Sequence, residues 1–262
     1  MKFCRFVPVD SSASQPASPL YGLLEGDHIG DISGPPWSPW SRGSRTWAVA
    51  DVRLLAPVDP GKIVCVGRNY AAHAAELGNE VPKEPLIFLK PPSAIVGPGE
   101  PIVLTPQSQR VEHEGELALI VGRRCSQLKD SDDALSYLLG YSCLNDVTAR
   151  DLQKSDVQFT RAKGFDTFCP VGPHIETELD PSDVLVELHV NAELRQSGRT
   201  SLMVYPVAFL VRWISRVMTL HPGDLISTGT PAGVGPLVAG DVVEVSVDGI
   251  GVLRNPVQAR PT

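Results

Sequence analysis

A chain of 262 residues is long enough to bury one substantial core, or a main domain with a small appendage, and its 42% hydrophobic and 20% charged residues describe an ordinary globular enzyme. The net charge of -7, without any Lys/Arg run, excludes a phosphate-backbone partner, and no apolar stretch approaches bilayer-spanning length. Five cysteines, Cys4, Cys65, Cys125, Cys143 and Cys169, are scattered without a C-x-x-C pair, which fits buried reduced thiols better than a disulfide framework or a zinc knuckle.

Met1 to Leu20 carries Lys2 and Arg5 but no apolar h-region, so the protein is expected to be cytoplasmic. Phe3 to Val9 reads as a strand, Asp10 to Pro19 as a Ser/Pro-rich loop, and Pro35 to Arg45 as a Pro/Trp/Ser/Arg-rich stretch. Residues 1–58 are therefore taken as a small N-terminal β domain and 59–262 as the main domain, with the join near Pro57 to Gly61. Beyond Lys62, short apolar runs bounded by Gly and Pro predict strands over Ile63 to Val66, Leu86 to Leu89, Leu117 to Val121 and Val184 to Val190. Pro98 to Pro106 reads as a loop. One clear helix is predicted, with Val207, Leu210, Val211, Ile214, Val217 and Met218 on its apolar side and Arg212, Ser215 and Arg216 opposite. Val243, Val245 and Val247 alternate ahead of Asp248-Gly249, a hairpin signal. The fold class is α+β and rich in β.

Several of these segments carry residues with chemistry. His73 and Glu76 share a face of an Ala-rich helix that Gly78 is placed to end; a histidine oriented by a carboxylate is a usual base near neutral pH, although a surface His/Glu pair has the same spacing. Lys90 closes a predicted strand near a cleft, where it is expected to bind substrate unless it is an ordinary surface lysine. Glu114-Gly115-Glu116 precedes the strand Leu117 to Val121, and period-two alternation would put both carboxylates on one face, about 7 Å apart at roughly 3.3 Å per residue. Charges so close call for a cation, though a bare Glu-x-Glu also describes a solvated strand end.

Asp146 ends another apolar segment, and a helix begun there would align it with Arg150 and Gln153 at i, i+4 and i+7. Three carboxylates with room for water and substrate suit Mg²⁺ or Mn²⁺ better than Zn²⁺. Lys163, in a Gly-punctuated segment, is placed to neutralise a carboxylate or an enolate, or simply to face solvent. Ser227 to Gly235 is a Gly-rich turn able to receive a carboxylate on backbone N–H groups, but it lacks the context of a nucleotide-binding loop.

In order, Gly67-Arg68-Asn69-Tyr70 with His73 and Glu76, Phe88-Leu89-Lys90-Pro91, Glu112-His113-Glu114-Gly115-Glu116-Leu117, Asn145 to Asp151, Arg161 to Asp166 and Thr228-Gly229-Thr230-Pro231 resemble the fumarylacetoacetate hydrolase superfamily from about Lys62 to the C-terminus. The N-terminal segment resembles the small β domain of some members. The resemblance implies a mixed β-sandwich or β-roll catalytic domain, a homodimer, and Mg²⁺ or Mn²⁺ on the positions matching Glu114, Glu116 and Asp146. It also implies a His73–Glu76 catalytic dyad on a mobile lid, with Lys163, Arg150, Gln153 and Thr230 facing substrate and His113 pointing away from its ligand neighbours.

The implied chemistry is enolate formation from a small 2-oxo acid. Hydrolysis of an acylpyruvate or decarboxylation of oxaloacetate ranks ahead of isomerisation or tautomerisation of 2-hydroxy-dienedioates or oxaloacetate. A non-catalytic 2-oxo acid binder is the remaining class, disfavoured because binding alone needs no proton-transfer dyad.

Overall fold

The alternating apolar runs assemble into one long sheet. In the computed structural model, which describes residues 1–9 and 18–260, the strands Arg42–Ala48, His28–Ile32, Leu20–Glu25, Lys2–Pro8, Cys169–Glu176, Leu138–Asn145, Gly115–Val121, Leu225–Ser227, Ile63–Gly67 and Leu86–Lys90 lie side by side in that order within a 12-stranded sheet. Most of the predicted Ser/Pro-rich loop, 10–17, lies outside the described residues. The N-terminal strands do not make a sheet of their own, because Lys2–Pro8 pairs with Cys169–Glu176 and so extends the main one. No helix among the described residues is long and apolar enough to cross a membrane.

A second, five-stranded sheet runs Glu193–Arg199, Leu185–Val190, Val242–Val247, Gly251–Ala259, Ile102–Leu104. It packs on one face of the first, giving the β-rich α+β sandwich expected. Strand periodicity decides which residues meet there: Leu117, Leu119 and Val121 join Leu188, Val243 and Val245 in one core, while Ala118 and Ile120 point the other way, among Ile63, Leu144 and Val171. The predicted loop Pro98 to Pro106 contains the short edge strand Ile102–Leu104, which pairs in parallel with Gly251–Ala259. All five cysteines are free and buried.

Gly115 packs directly against Leu188 and Val245 of the second sheet. A Cβ there would lie 3.0 Å from Leu188 Cβ and 3.1 Å from its Cδ1. Gly115→Ala is therefore expected to cost about 1–3 kcal/mol through overpacking, read as a lower midpoint in urea unfolding. An unchanged midpoint would mean that Leu188 yields freely.

The predicted long helix forms over Val207–Val217, with Val207, Leu210, Val211 and Ile214 buried. Ser215 departs from expectation: it is buried, accepting the Leu128 N–H at 3.1 Å and donating to Arg212 O, because the segment around Leu128 lies against the side assigned to solvent. The Ala-rich helix is Ala71–Glu76. Gly78 ends it as expected, at φ 68°, with Gly78 N–H donating to Ala75 O and Asn79 N–H to Ala74 O, the paired bonds of a Schellman cap.

Candidate metal-binding active site

Register places the three acids. Gly115 pairs with Asn145 and Glu116 with Leu144 across adjacent antiparallel strands, so Asp146, one residue further, stands beside Glu114, and its N–H donates to Glu114 O at 2.8 Å. Glu114 itself lies between the strands Val111–His113 and Gly115–Val121, its N–H fixed by Asn145 Oδ1 at 2.9 Å. Glu116 shares the face of Ala118 and Ile120, away from the second sheet. All three carboxylates are buried, with one oxygen of each within 4.8 Å of the others.

Asp146 is not on a helix with Arg150 and Gln153. Thr148–Ala149 pairs with Val111–His113, and the helix starts only at Arg150. Arg150 and Gln153 nonetheless share a helical face, Arg150 donating to Gln153 Oε1 at 2.5 Å.

Charges alternate through the buried site. Arg110 meets Glu112 at 2.5 Å, Glu112 meets Arg150 at 2.6 Å, Arg150 meets Glu114, Glu114 meets Lys163 at 2.7 Å, Lys163 meets Asp146 at 2.6 Å, and Asp146 meets Lys90 at 2.5 Å. Glu116 stands outside this chain. Its Oε2 accepts from the Ser227 hydroxyl and from Gly229 N–H, at 2.7 Å, but among the described residues no cation lies within salt-bridge distance.

The electrostatic consequences differ accordingly. Burial alone would raise the Glu114 carboxyl, but Lys163 and Arg150 outweigh it and hold the group well below the usual range. Burial also opposes the charged form of Lys163, yet Asp146 and Glu114 raise it above an ordinary lysine. Glu116 is pushed up to about 8 by burial, with Asp146 and Glu114 adding like charge. A buried carboxylate short of positive charge, beside two more in an all-oxygen donor set, fits a hard divalent cation such as Mg²⁺ or Mn²⁺.

The same acids line a cavity of about 210 Å³ with His73, Gln153, Lys163 and Thr230. His73 Nδ1 is 3.4 Å from Glu76 Oε2, and the Glu76 carboxylate accepts Gly233 N–H at 3.0 and 3.1 Å. The Gly-rich turn thus orients the dyad instead of cradling a ligand with that N–H. Thr230 also works within the protein: its hydroxyl donates to Gly115 O and accepts from Gln196 Nε2.

Lys90, expected at the substrate, does not line the cavity. It is fully buried behind the acids, donating to Asp146 Oδ1 and Val147 O, because its strand pairs on the far side with Ile63–Gly67 and leaves Lys90 inside. His113 points away from its neighbours as expected, its Nδ1 3.0 Å from Gln196 Oε1, and burial depresses its pKa. Gln196 and the ion-pair role of Glu112 were not foreseen. Glu112 carries a signal, a third acid at the same alternation; Gln196, on a strand with mostly exposed neighbours, carries none.

Comparison with known proteins places this architecture. Residues 62–258 match the model described as "Fumarylacetoacetate (FAA) hydrolase C-terminal". The chain belongs to the fumarylacetoacetate hydrolase family. Residues 1–57 match a second model, "Rv2993c-like, N-terminal". Protein Rv2993c of Mycobacterium tuberculosis is 52% identical over 230 residues, 87% of this chain and 86% of that protein. An oxaloacetate tautomerase fahd2, mitochondrial, of Xenopus laevis is 42% identical over 221 residues, 79% of this chain and 70% of that protein. Among solved structures, a 5-carboxymethyl-2-hydroxymuconate delta-isomerase from Mycobacterium smegmatis has a TM-score of 0.90 at 46% identity, covering 99% of this chain and 100% of that one.

For this member of the fumarylacetoacetate hydrolase family, the raised Glu116 gives a pH prediction. Metal-free folded protein keeps a proton on Glu116 between its ordinary value of 4.5 and about 8, whereas the unfolded chain has lost it. The resulting stabilisation is complete below 4.5 and is lost as pH rises through about 8. Metal must displace that proton, so Mg²⁺ or Mn²⁺ affinity should rise roughly tenfold per pH unit towards pH 8 and then level. Calorimetry across pH 6–9 checks this; a flat profile would contradict it.

Proposed function

We propose that the chain is a divalent-metal-dependent enzyme converting a small 2-oxo acid through its enolate, with hydrolysis of an acylpyruvate-type C–C bond as the first outcome and oxaloacetate decarboxylation beside it. The observation that carries this reading is the His73–Glu76 pair lining the same cavity as the buried acid triad. Glu114, Glu116 and Asp146 would hold the cation, which when bound supplies Lewis-acid polarisation of the 2-oxo group.

The chain's own residues do the rest. Glu76, fixed by Gly233, holds the imidazole with Nδ1–H towards its carboxylate and leaves Nε2 for a proton. His73 takes that proton from water as the oxygen adds to the C4 carbonyl. The C3–C4 bond then breaks, its electron pair forms the enolate, and return of the proton held by His73 to C3 yields pyruvate and a carboxylic acid and restores the base. Lys163 spends two N–H groups on Glu114 and Asp146, and its third can meet developing negative charge. Gln153, its oxygen taken by Arg150, has its amide N–H groups to offer the substrate.

A second reading, isomerisation or tautomerisation, is favoured by the names of the fahd2 tautomerase and the delta-isomerase. It uses the same base on carbon in place of water. Acetylpyruvate, fumarylpyruvate, oxaloacetate and a 2-hydroxy-dienedioate, each offered with Mg²⁺ or Mn²⁺ and followed by NMR, separate the outcomes. Pyruvate plus an acid supports hydrolysis, CO₂ release supports decarboxylation, and interconversion without cleavage supports the second reading. No turnover of any of them would leave a binder of 2-oxo acids. The same reading includes a homodimer, checked by sedimentation.

A further inference from the structure

Arg68 has an unusual backbone and no partner. It follows the strand Ile63–Gly67 and precedes the helix Ala71–Glu76 with φ at 56°, a left-handed conformation that residues bearing a Cβ seldom adopt and glycine adopts freely. The turn is pinned from the next residue: Asn69 Nδ2 donates to Thr228 O at 2.8 Å and Tyr205 O at 3.1 Å, while Asn69 Oδ1 accepts Tyr205 N–H at 2.8 Å. Backbone geometry alone would favour glycine at 68, so an arginine there points to use of the side chain.

That side chain lines the active-site cavity and is half-buried. Among the described residues no carboxylate lies within 4.0 Å of its guanidinium and no acceptor takes a hydrogen bond from it. The other buried cations of the cavity are each already paired with two acids, Arg150 with Glu112 and Glu114 and Lys163 with Glu114 and Asp146. Among the described residues the only acids lining the cavity are the three of the triad, and the further cation, Lys154, is exposed and likewise unpaired. Phe88 and Phe159, packed edge to face at 5.5 Å, supply apolar wall to the same cavity.

The cavity therefore combines a deep acidic end, which takes a cation, with unpaired positive charge nearer solvent. Its 210 Å³ is about seven water volumes at roughly 30 Å³ each, room for a small acid. We propose that Arg68 is a specificity-determining residue that pairs with a second, distal carboxylate, so that the substrate class is a 2-oxo acid carrying another acid group. This rests on the 2-oxo acid reading of the same cavity. A planar guanidinium with free N–H groups pairs with a carboxylate through two parallel charge-assisted bonds, which a lysine cannot reproduce.

The test is calorimetric binding to Mn²⁺-loaded protein of two unreactive probes with five carbons, 2-oxoglutarate and 2-oxopentanoate, which differ by a terminal carboxylate against a methyl. Wild type should prefer the diacid at least tenfold. Arg68→Asn, chosen because asparagine tolerates the left-handed conformation, should lower that ratio at least tenfold, and Arg68→Lys should keep part of it. An Arg68→Asn variant with the wild-type ratio, or a wild type binding both probes equally, would overturn the proposal and leave the 2-oxo acid reading standing. Binding of neither probe would remove both.

Discussion

Glu116→Gln is expected to lower turnover by three or more orders of magnitude while leaving the metal-free protein at least as stable as wild type. The two effects part because Glu116 alone of the triad has no cationic partner among the described residues. A glutamine oxygen can still accept from Ser227 and Gly229, and its neutral amide spares the folded chain the proton that burial, Asp146 and Glu114 force on Glu116 above its ordinary value of 4.5. The cation, however, loses one of three anionic ligands, and Lewis-acid polarisation is worth several kcal/mol, each 1.36 kcal/mol being about tenfold in rate.

Asp146→Ala would abolish metal binding too, but less informatively. It strands Lys90 and Lys163 in the interior, and breaking a buried pair costs about 3–5 kcal/mol. Glu114→Ala strands Arg150 and Lys163 in the same way. Thermal melts with and without Mn²⁺, beside steady-state rates, distinguish these variants. Metal-dependent turnover by Glu116→Gln within tenfold of wild type would remove Glu116 from the site.

How far the site could be read from sequence depends on which interactions are local. Glu114 and Glu116 were legible because strand alternation is a property of neighbouring residues, and the intervening Gly115 faces Leu188 as that alternation requires. Asp146 was legible as an acid ending an apolar run, but the helix read as starting there begins only at Arg150. Whether Thr148 and Ala149 continue extended is settled by pairing with Val111–His113, some 36 residues earlier (148 − 112 = 36). Lys90 shows the same limit: a lysine ending a strand reads as cleft-facing unless one knows that the Asp146 carboxylate and the Val147 carbonyl wait behind it. The joining of the N-terminal strands to the main sheet rests on two register pairs, Lys2 with Glu176 and Phe3 with Ile175, which no local pattern encodes. Periodicity thus exposes faces, and what those faces meet is decided by distant chain.

His73→Ala should retain cation and oxalate binding yet lose about 10²–10⁴ in the rate of whichever proton transfer the enzyme performs. The imidazole takes no part in the ion-pair chain, so chelation by Glu114, Glu116 and Asp146 does not depend on it. Its buried position and the 3.4 Å separation from Glu76 fit a base whose tautomer is set by a carboxylate, which is itself fixed by Gly233. Glu76→Gln tests the linkage. An amide keeps a hydrogen bond but not the carboxylate's charge, so the variant should fall between wild type and His73→Ala in rate. Equal rates for His73→Ala and wild type would dismiss the base, whereas a loss of oxalate binding matching the loss of rate would assign His73 to holding the ligand.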